Sequence, residues 1–117
     1  MFFSVPVIKL KSDKITNYEK EEVPIGCEEI ENKIKDGRPF WEMIHENGET
    51  GTLINENKGG KYLGLEKDPP CLTILNATMS DSGYYCCCIE YSTSSGRKIA
   101  RSEKAHLMIK KKSRHIL

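Results

Sequence analysis

The sequence predicts an all-β chain folded as two antiparallel sheets packed face to face, and three stretches carry that expectation. Leu72, Ile74 and, past a bend, Ala77 place apolar residues at period two, the pattern of a strand with one buried face. Asp81-Ser82-Gly83 supplies turn chemistry, and Tyr85, Cys87, Ile89 and Tyr91 then alternate again, so 72–91 reads as two strands joined by a tight corner. Val23, Ile25 and Cys27 alternate in the same way against Pro24, Gly26 and Glu28. At 117 residues the chain has the length of one domain with one core.

The spacing Asp81-x-Gly83-x-Tyr85-x-Cys87 resembles the E–F corner of the immunoglobulin fold, in which a tyrosine two residues before the second cysteine turns its hydroxyl onto the backbone. Cys27 and Trp41 stand upstream where that pattern wants its first cysteine and its tryptophan. The chain is therefore similar to an immunoglobulin-superfamily domain of the intermediate set, over about Val5 to Ile109. The resemblance implies a two-sheet immunoglobulin-like β-sandwich with Greek-key connections. It makes 1–117 a single domain, with a core at 5–109 and a basic tail or linker at 110–117. It further implies a Cys27–Cys87 disulfide beneath Trp41, with Tyr85, Leu72 and Ile74 in the core and Asp81 and Gly83 at the corner. Closing a 60-residue loop would stabilise the fold by roughly 4 kcal/mol in the chain-entropy picture. Pairing Cys27 with Cys86 instead would slip the register by one and turn Tyr85, Ile89 and Tyr91 to solvent.

Taken in order, Val5–Leu10 reads as an edge strand, because Pro6 cannot donate to an interior ladder. Asp13–Glu22 is polar apart from Ile15 and Tyr18 and continues that edge. Val23–Cys27 is strand B, and Glu29–Arg38 is its connection to strand C, where Trp41, Met43 and His45 face inward and Phe40, Glu42 and Ile44 outward. Asn47-Gly48 is a hairpin dipeptide leading to a short strand C′ at Thr52–Ile54, which Lys58-Gly59-Gly60 ends. Lys61–Leu65 is strand D, and Asp68-Pro69-Pro70 turns into strand E. After the corner and strand F, Thr93–Gly96 forms a hairpin, and Ala105, Leu107 and Ile109 line the inner side of strand G. The chain departs from the family pattern in its three extra cysteines, in a missing glycine near Lys20-Glu21, and in a glycine-rich stretch between C′ and D.

Successive strand side chains point to opposite faces, so Cys86-Cys87-Cys88 cannot converge on one metal ion, and no C-x-x-C pair supplies zinc spacing. Neither a metal nor another cofactor is expected. Cys71 faces out from one sheet and Cys86 and Cys88 from the other. Sheets about 10 Å apart cannot supply the Cα separation under roughly 7 Å that a disulfide needs. These three read as free thiols, with an intermolecular disulfide as the alternative. The outer face of the G-F-C sheet would display Phe40, Ile44, Tyr84, Cys86, Cys88, His106 and Met108, with Glu42 and Glu90 among them. An apolar face of that kind marks a contact surface for a protein partner or a second copy.

Lys+Arg of 18 against Asp+Glu of 17 leaves a net charge of +1, which gives no reason to expect a nucleic-acid partner. Charge is segregated along the chain, with Glu19, Glu21, Glu22, Glu28, Glu29 and Glu31 early and Arg97, Lys98, Arg101 and Lys104 around the F–G hairpin. Solvated faces account for this; a head-to-tail contact or a glycosaminoglycan on the basic loop is the sharper reading. Asn76-Ala77-Thr78 fits an N-glycosylation acceptor and favours a secreted route. No apolar run approaches the ~18 residues of a membrane span, and the stretch from Met1 to Ile8 lacks the basic start and length of a leader. His45-Glu46 has no second histidine at the zincin spacing, Gly59-Gly60-Lys61 lacks the rest of a phosphate loop, and His45, His106 and His115 are scattered. The expectation is a non-catalytic recognition or adhesion module of an extracellular or cell-surface protein, without direct membrane insertion. The alternative is a structural spacer domain of an intracellular filament-type protein.

Overall fold

In the computed structural model, residues 5–49, 51–55 and 58–112 are described. The start of the leader-like stretch and the end of the basic tail, His115 included, lie outside them. The strands are β1 (Val7–Leu10), β2 (Lys14–Tyr18), β3 (Val23–Glu31), β4 (Arg38–Ile44), β5 (Thr52–Ile54), β6 (Tyr62–Leu63), β7 (Cys71–Ile74), β8 (Gly83–Thr93), β9 (Gly96–Arg101) and β10 (Ala105–Lys110). One sheet runs β1-β3-β7-β6. The other runs β2-β10-β8-β4-β5, with β9 also on β8. The inner faces of both supply the core. Val23, Ile25, Cys27, Leu72 and Ile74 from the first sheet meet Trp41, Tyr85, Cys87 and Leu107 from the second, and none of these is more than 2% exposed.

Three elements differ from their sequence expectation. The edge does not continue through Asp13–Glu22; β2 crosses to the other sheet and pairs parallel with β10, Ile15 opposite Leu107, an exception to the all-antiparallel expectation. The crossing covers the free edge of β10, and flanking bonds from His106 N–H to Asp13 O (2.8 Å) and Glu19 N–H to Lys110 O (2.9 Å) extend the pairing. Strand B does not stop at Cys27. β3 runs on to Glu31 because β1 lies alongside, pairing Ile8 with Ile30 and Val7 with Glu31. Lys9 also bridges Glu29 and Glu31 at 3.4 and 2.9 Å. Strand D shrinks to two residues, since Gly64 turns the chain at φ 89 and a Cβ there would lie 2.6 Å from Cys71 O.

The position that lacks the family's glycine also shows its consequence. Lys20 sits at φ 70, in the left-handed region that ordinary side chains avoid. It is held there by backbone bonds from Lys20 N–H to Ala77 O (2.7 Å) and from Ala77 N–H to Glu21 O (3.1 Å). Strand G is broken into β9 and β10 at Ser102–Lys104, opposite the middle of β8. Ser102 mends the gap: its N–H donates to Cys87 O at 2.9 Å and its Oγ accepts from Cys87 N–H at 3.0 Å.

The corner between β7 and β8 has the expected construction. The Tyr85 hydroxyl donates to Asp81 O at 2.6 Å, within the buried interior. A short 3₁₀ turn, Met79–Asp81, precedes it. The Asp81 carboxylate accepts from Thr78 N–H at 2.8 Å and pairs with Lys61 Nζ at 2.7 Å. Gly83 lets β8 start against β4, because a Cβ there would lie 2.6 Å from Ile44 O. Replacing Tyr85 by Phe removes only the hydroxyl and leaves Asp81 O without its buried donor. Urea unfolding should show a loss of about 1–3 kcal/mol with an unchanged m-value; an unchanged midpoint would mean the corner does not depend on this bond.

Candidate functional site

The outer face of the six-stranded sheet is where sequence reading placed its candidate contact residues. By register these residues lie on one face. Phe40 lies opposite Cys88, Glu42 opposite Cys86 and Ile44 opposite Tyr84 across β4 and β8, while His106 lies opposite Tyr84 across β10 and β8. Tyr84 and His106 stack, ring centroids 4.5 Å apart at 17°. His106 Nε2 meets the Glu46 carboxylate at 3.0 Å.

Exposure on that face is not uniform, and this corrects the expected patch. Phe40, Cys86 and Cys88 are buried, at 8%, 4% and 0%, and form a small apolar cluster of their own outside the main core. Arg101 lies opposite Cys88 on β9, and its guanidinium reaches across to Glu42 at 3.0 Å. The two charged side chains therefore stand beside the cluster. What remains accessible is Ile44, Tyr84 and His106, each partly exposed, and Met108, 43% exposed. Leu53 on β5, Ile99 on β9 and Tyr18 on β2 share the face and are 55%, 41% and 47% exposed. The sequence reading missed these three. Their runs are too short, or too polar, for one alternation to reveal which face they occupy. A depression of about 390 Å³ opens beside them, between β4 and β5, lined by Glu42, Ile44 and Leu53 among others.

The expected Cys27–Cys87 disulfide is not formed in this structure, although both residues lie in the core. Cys27 and Cys87 are buried with Trp41 in the same core cluster, and the Cys27 thiol donates to Glu29 O at 3.6 Å. All five cysteines are thiols in this structure. The Trp41 Nε1–H is buried without a partner among the described residues. Cys71 is half-buried on the outer side of the other sheet, with Thr73 Oγ1 at 3.8 Å from its sulfur. Asn76 is exposed at the corner, at φ 49.

Of the basic residues around the F–G hairpin, Arg97 pairs with Glu90 and Arg101 with Glu42. Lys104 lies 5.9 Å from the Tyr84 ring centroid. Lys98 has no ion-pair partner among the described residues, which leaves the basic loop mostly neutralised by its own sheet. Among the described residues no group of three or more His, Cys, Asp or Glu could hold a metal ion, and no helix is long and apolar enough to cross a membrane.

The buried corner tyrosine, the Cys27–Trp41–Cys87 centre and the two sheet orders define an immunoglobulin-like β-sandwich. Among solved structures, that of murine CRIg, an immunoglobulin-family protein, matches with a TM-score of 0.67 at 21% identity, covering 92% of this chain and 99% of that one. At this identity the likeness is one of fold. No protein-family model and no curated protein matches the chain.

Burial pushes the Cys88 thiol up to about 12, with the neighbouring Glu42 charge adding to it, and raises Cys86 for the same two reasons. At pH 8 Cys88 is held as the thiol. In the reduced protein, brief maleimide labelling at pH 8 should therefore modify Cys71 and spare Cys86 and Cys88, read by peptide mass; rapid labelling of either would show the cluster to be open. A thiol whose folded value is raised contributes stability that is whole below its unfolded value, near 8.5. That stability is lost as pH rises toward the folded value, so the reduced protein should weaken from about pH 9 upward.

Proposed function

We propose that the chain is a non-catalytic recognition or adhesion module of a secreted or cell-surface protein. It binds a protein partner or a second copy of itself through the outer face of the six-stranded sheet. The observation that carries the reading is the placement of the exposed large apolar side chains. Of the eight among the described residues, Tyr18, Leu53, Ile99 and Met108 lie on this one face, around the Tyr84–His106 stack. A stable protein rarely leaves such a set facing water unless something covers it.

The intermediate-set assignment is supported by the strand count. Among the described residues β5 is one strand beyond the seven-strand constant type, and no second strand follows it as in the variable type. The exposure of Asn76 supports its use as a glycan acceptor, at the corner and away from the outer face. The adjacency of the Cys27 and Cys87 sulfurs supports their closure to a disulfide on a secretory route. Lys98 alone of the four hairpin cations is unpaired and off a ring, so a glycosaminoglycan would find little charge to hold it.

Leu53→Glu and Met108→Glu place a carboxylate on the accessible part of the face without touching the core; Phe40→Glu does not serve, because Phe40 is buried. Sedimentation velocity over a concentration series reads self-association, and fluorescent tetramers on a panel of cells read another partner. Each variant should keep the wild-type melting temperature and lose binding at least tenfold. No wild-type binding in either format up to about 100 µM, or binding that both variants retain, would remove the proposal.

A further inference from the structure

The outer face of the six-stranded sheet is sorted by charge on the half that β2 adds to. In the parallel register Lys14, Thr16 and Tyr18 lie opposite His106, Met108 and Lys110 and share their face. Of these only His106 is partly covered; the other five are exposed. Lys14 stands beside His106, Lys110 beside Tyr18, and Lys104 lies 5.9 Å from the Tyr84 ring centroid. The accessible apolar side chains of this half are thus interleaved with ammonium groups.

The acids of the face are already engaged. Glu42 and Glu90, which the register places on it, pair with Arg101 and Arg97. Glu46 meets His106 Nε2 at 3.0 Å, and Glu21, past the end of β2, accepts from Tyr18 N–H at 3.0 Å. Lys14, Lys104 and Lys110 have no ion-pair partner among the described residues. Exposed ammonium groups are satisfied by water and demand nothing while the face is open. Covering Tyr18 and Met108 changes that, because the same surface takes water from the lysines beside them, and a cation that loses water without gaining a partner opposes the contact. Incoming carboxylates offset this cost and incoming cations add to it. A second copy docked about a two-fold axis would bring the same lysines and the same engaged acids, so the face does not complement itself. Glu29 and Glu31, on the other sheet, are held by Lys9.

We infer that the outer face takes a different protein, one whose contact surface is acidic as well as apolar. Its apolar side chains cover Tyr18 and Met108, and its carboxylates are set against Lys14, Lys104 and Lys110. The inference rests on the reading of this face as a contact surface and adds the chemistry of the partner.

The test is selection of random dodecapeptides displayed on phage against the 117-residue chain, followed by titration of the synthesised winners in solution. Winners should combine Asp and Glu with aromatic or aliphatic residues, and Met108→Glu should weaken them at least about tenfold. The double variant Lys14→Glu, Lys110→Glu should do the same at an unchanged melting temperature. Winners remade with lysine in place of each acid should prefer that variant to the wild type. Heparin and phosphatidylserine vesicles run as parallel arms, and sedimentation velocity reads self-association. Winners sensitive to Met108→Glu that lack acids, or that bind the double variant as tightly as the wild type, would overturn the inference and leave the face a contact surface. No winner sensitive to Met108→Glu would overturn both. Tighter binding of heparin or of the vesicles through the same lysines would overturn the inference in favour of a polysaccharide or a membrane. Self-association that Met108→Glu abolishes would overturn it in favour of a second copy.

Discussion

Where the two sheets meet, the Cys27 and Cys87 sulfurs lie together beside Trp41, and all three side chains are sealed from water. That contact fixes the rotation of three strands at once. Once Cys87 and Trp41 face inward, the period of two commits Tyr85, Ile89 and Met43 to the same side, and Cys86, Cys88, Phe40 and Glu42 to the other. The corner then locks the entry to β8, since the Tyr85 hydroxyl reaches Asp81 O only when Tyr85 points inward. Ser102 completes the arrangement by giving both backbone groups of Cys87 a partner where strand G is interrupted.

The same constraint produces the outer face of the six-stranded sheet. Residues forced outward along β4 and β8 are unusually apolar, and the protein manages part of them internally, through the Phe40–Cys86–Cys88 cluster beside the Glu42–Arg101 pair. The remainder spreads over five strands from Leu53 on β5 to Tyr18 on β2, with the Tyr84–His106 stack between them. Parallel addition of β2 at the far edge widens this face by one strand and closes an edge that would otherwise invite unspecific pairing. At the opposite end of the domain, the hairpin sends Arg97 to the outer side, where Glu90 pairs with it, and Lys98 to the other side, where it is exposed.

Much of this was legible in the residues. The corner spacing and the inward set Trp41, Tyr85, Leu72 and Ile74 follow from alternation and turn chemistry, which are local properties. The outward set was placed on the correct face for the same reason. Its exposure was not legible, because it is set by strands remote in sequence: β9 brings Arg101 opposite Cys88 and within reach of Glu42, 59 positions away in the chain. The sheet switch of β2 was hidden because Lys14–Tyr18 carries too few apolar residues to choose a partner from sequence. Ser102 and the Lys61–Asp81 pair share that character: each is an ordinary residue given its role by a distant part of the chain.

The centre of the sandwich makes the most direct demand on the protein as its own cells produce it. Non-reducing peptide mapping of material from the native source, with free thiols blocked at lysis, reports the state of every sulfur. An extracellular recognition domain should give one bridge, Cys27 to Cys87, with Cys71, Cys86 and Cys88 recovered as thiols. Recovery of all five as thiols would place the chain in a reducing compartment, as a spacer of an intracellular filament. A bridge through Cys86 would contradict the register on which the core and the outer face both stand.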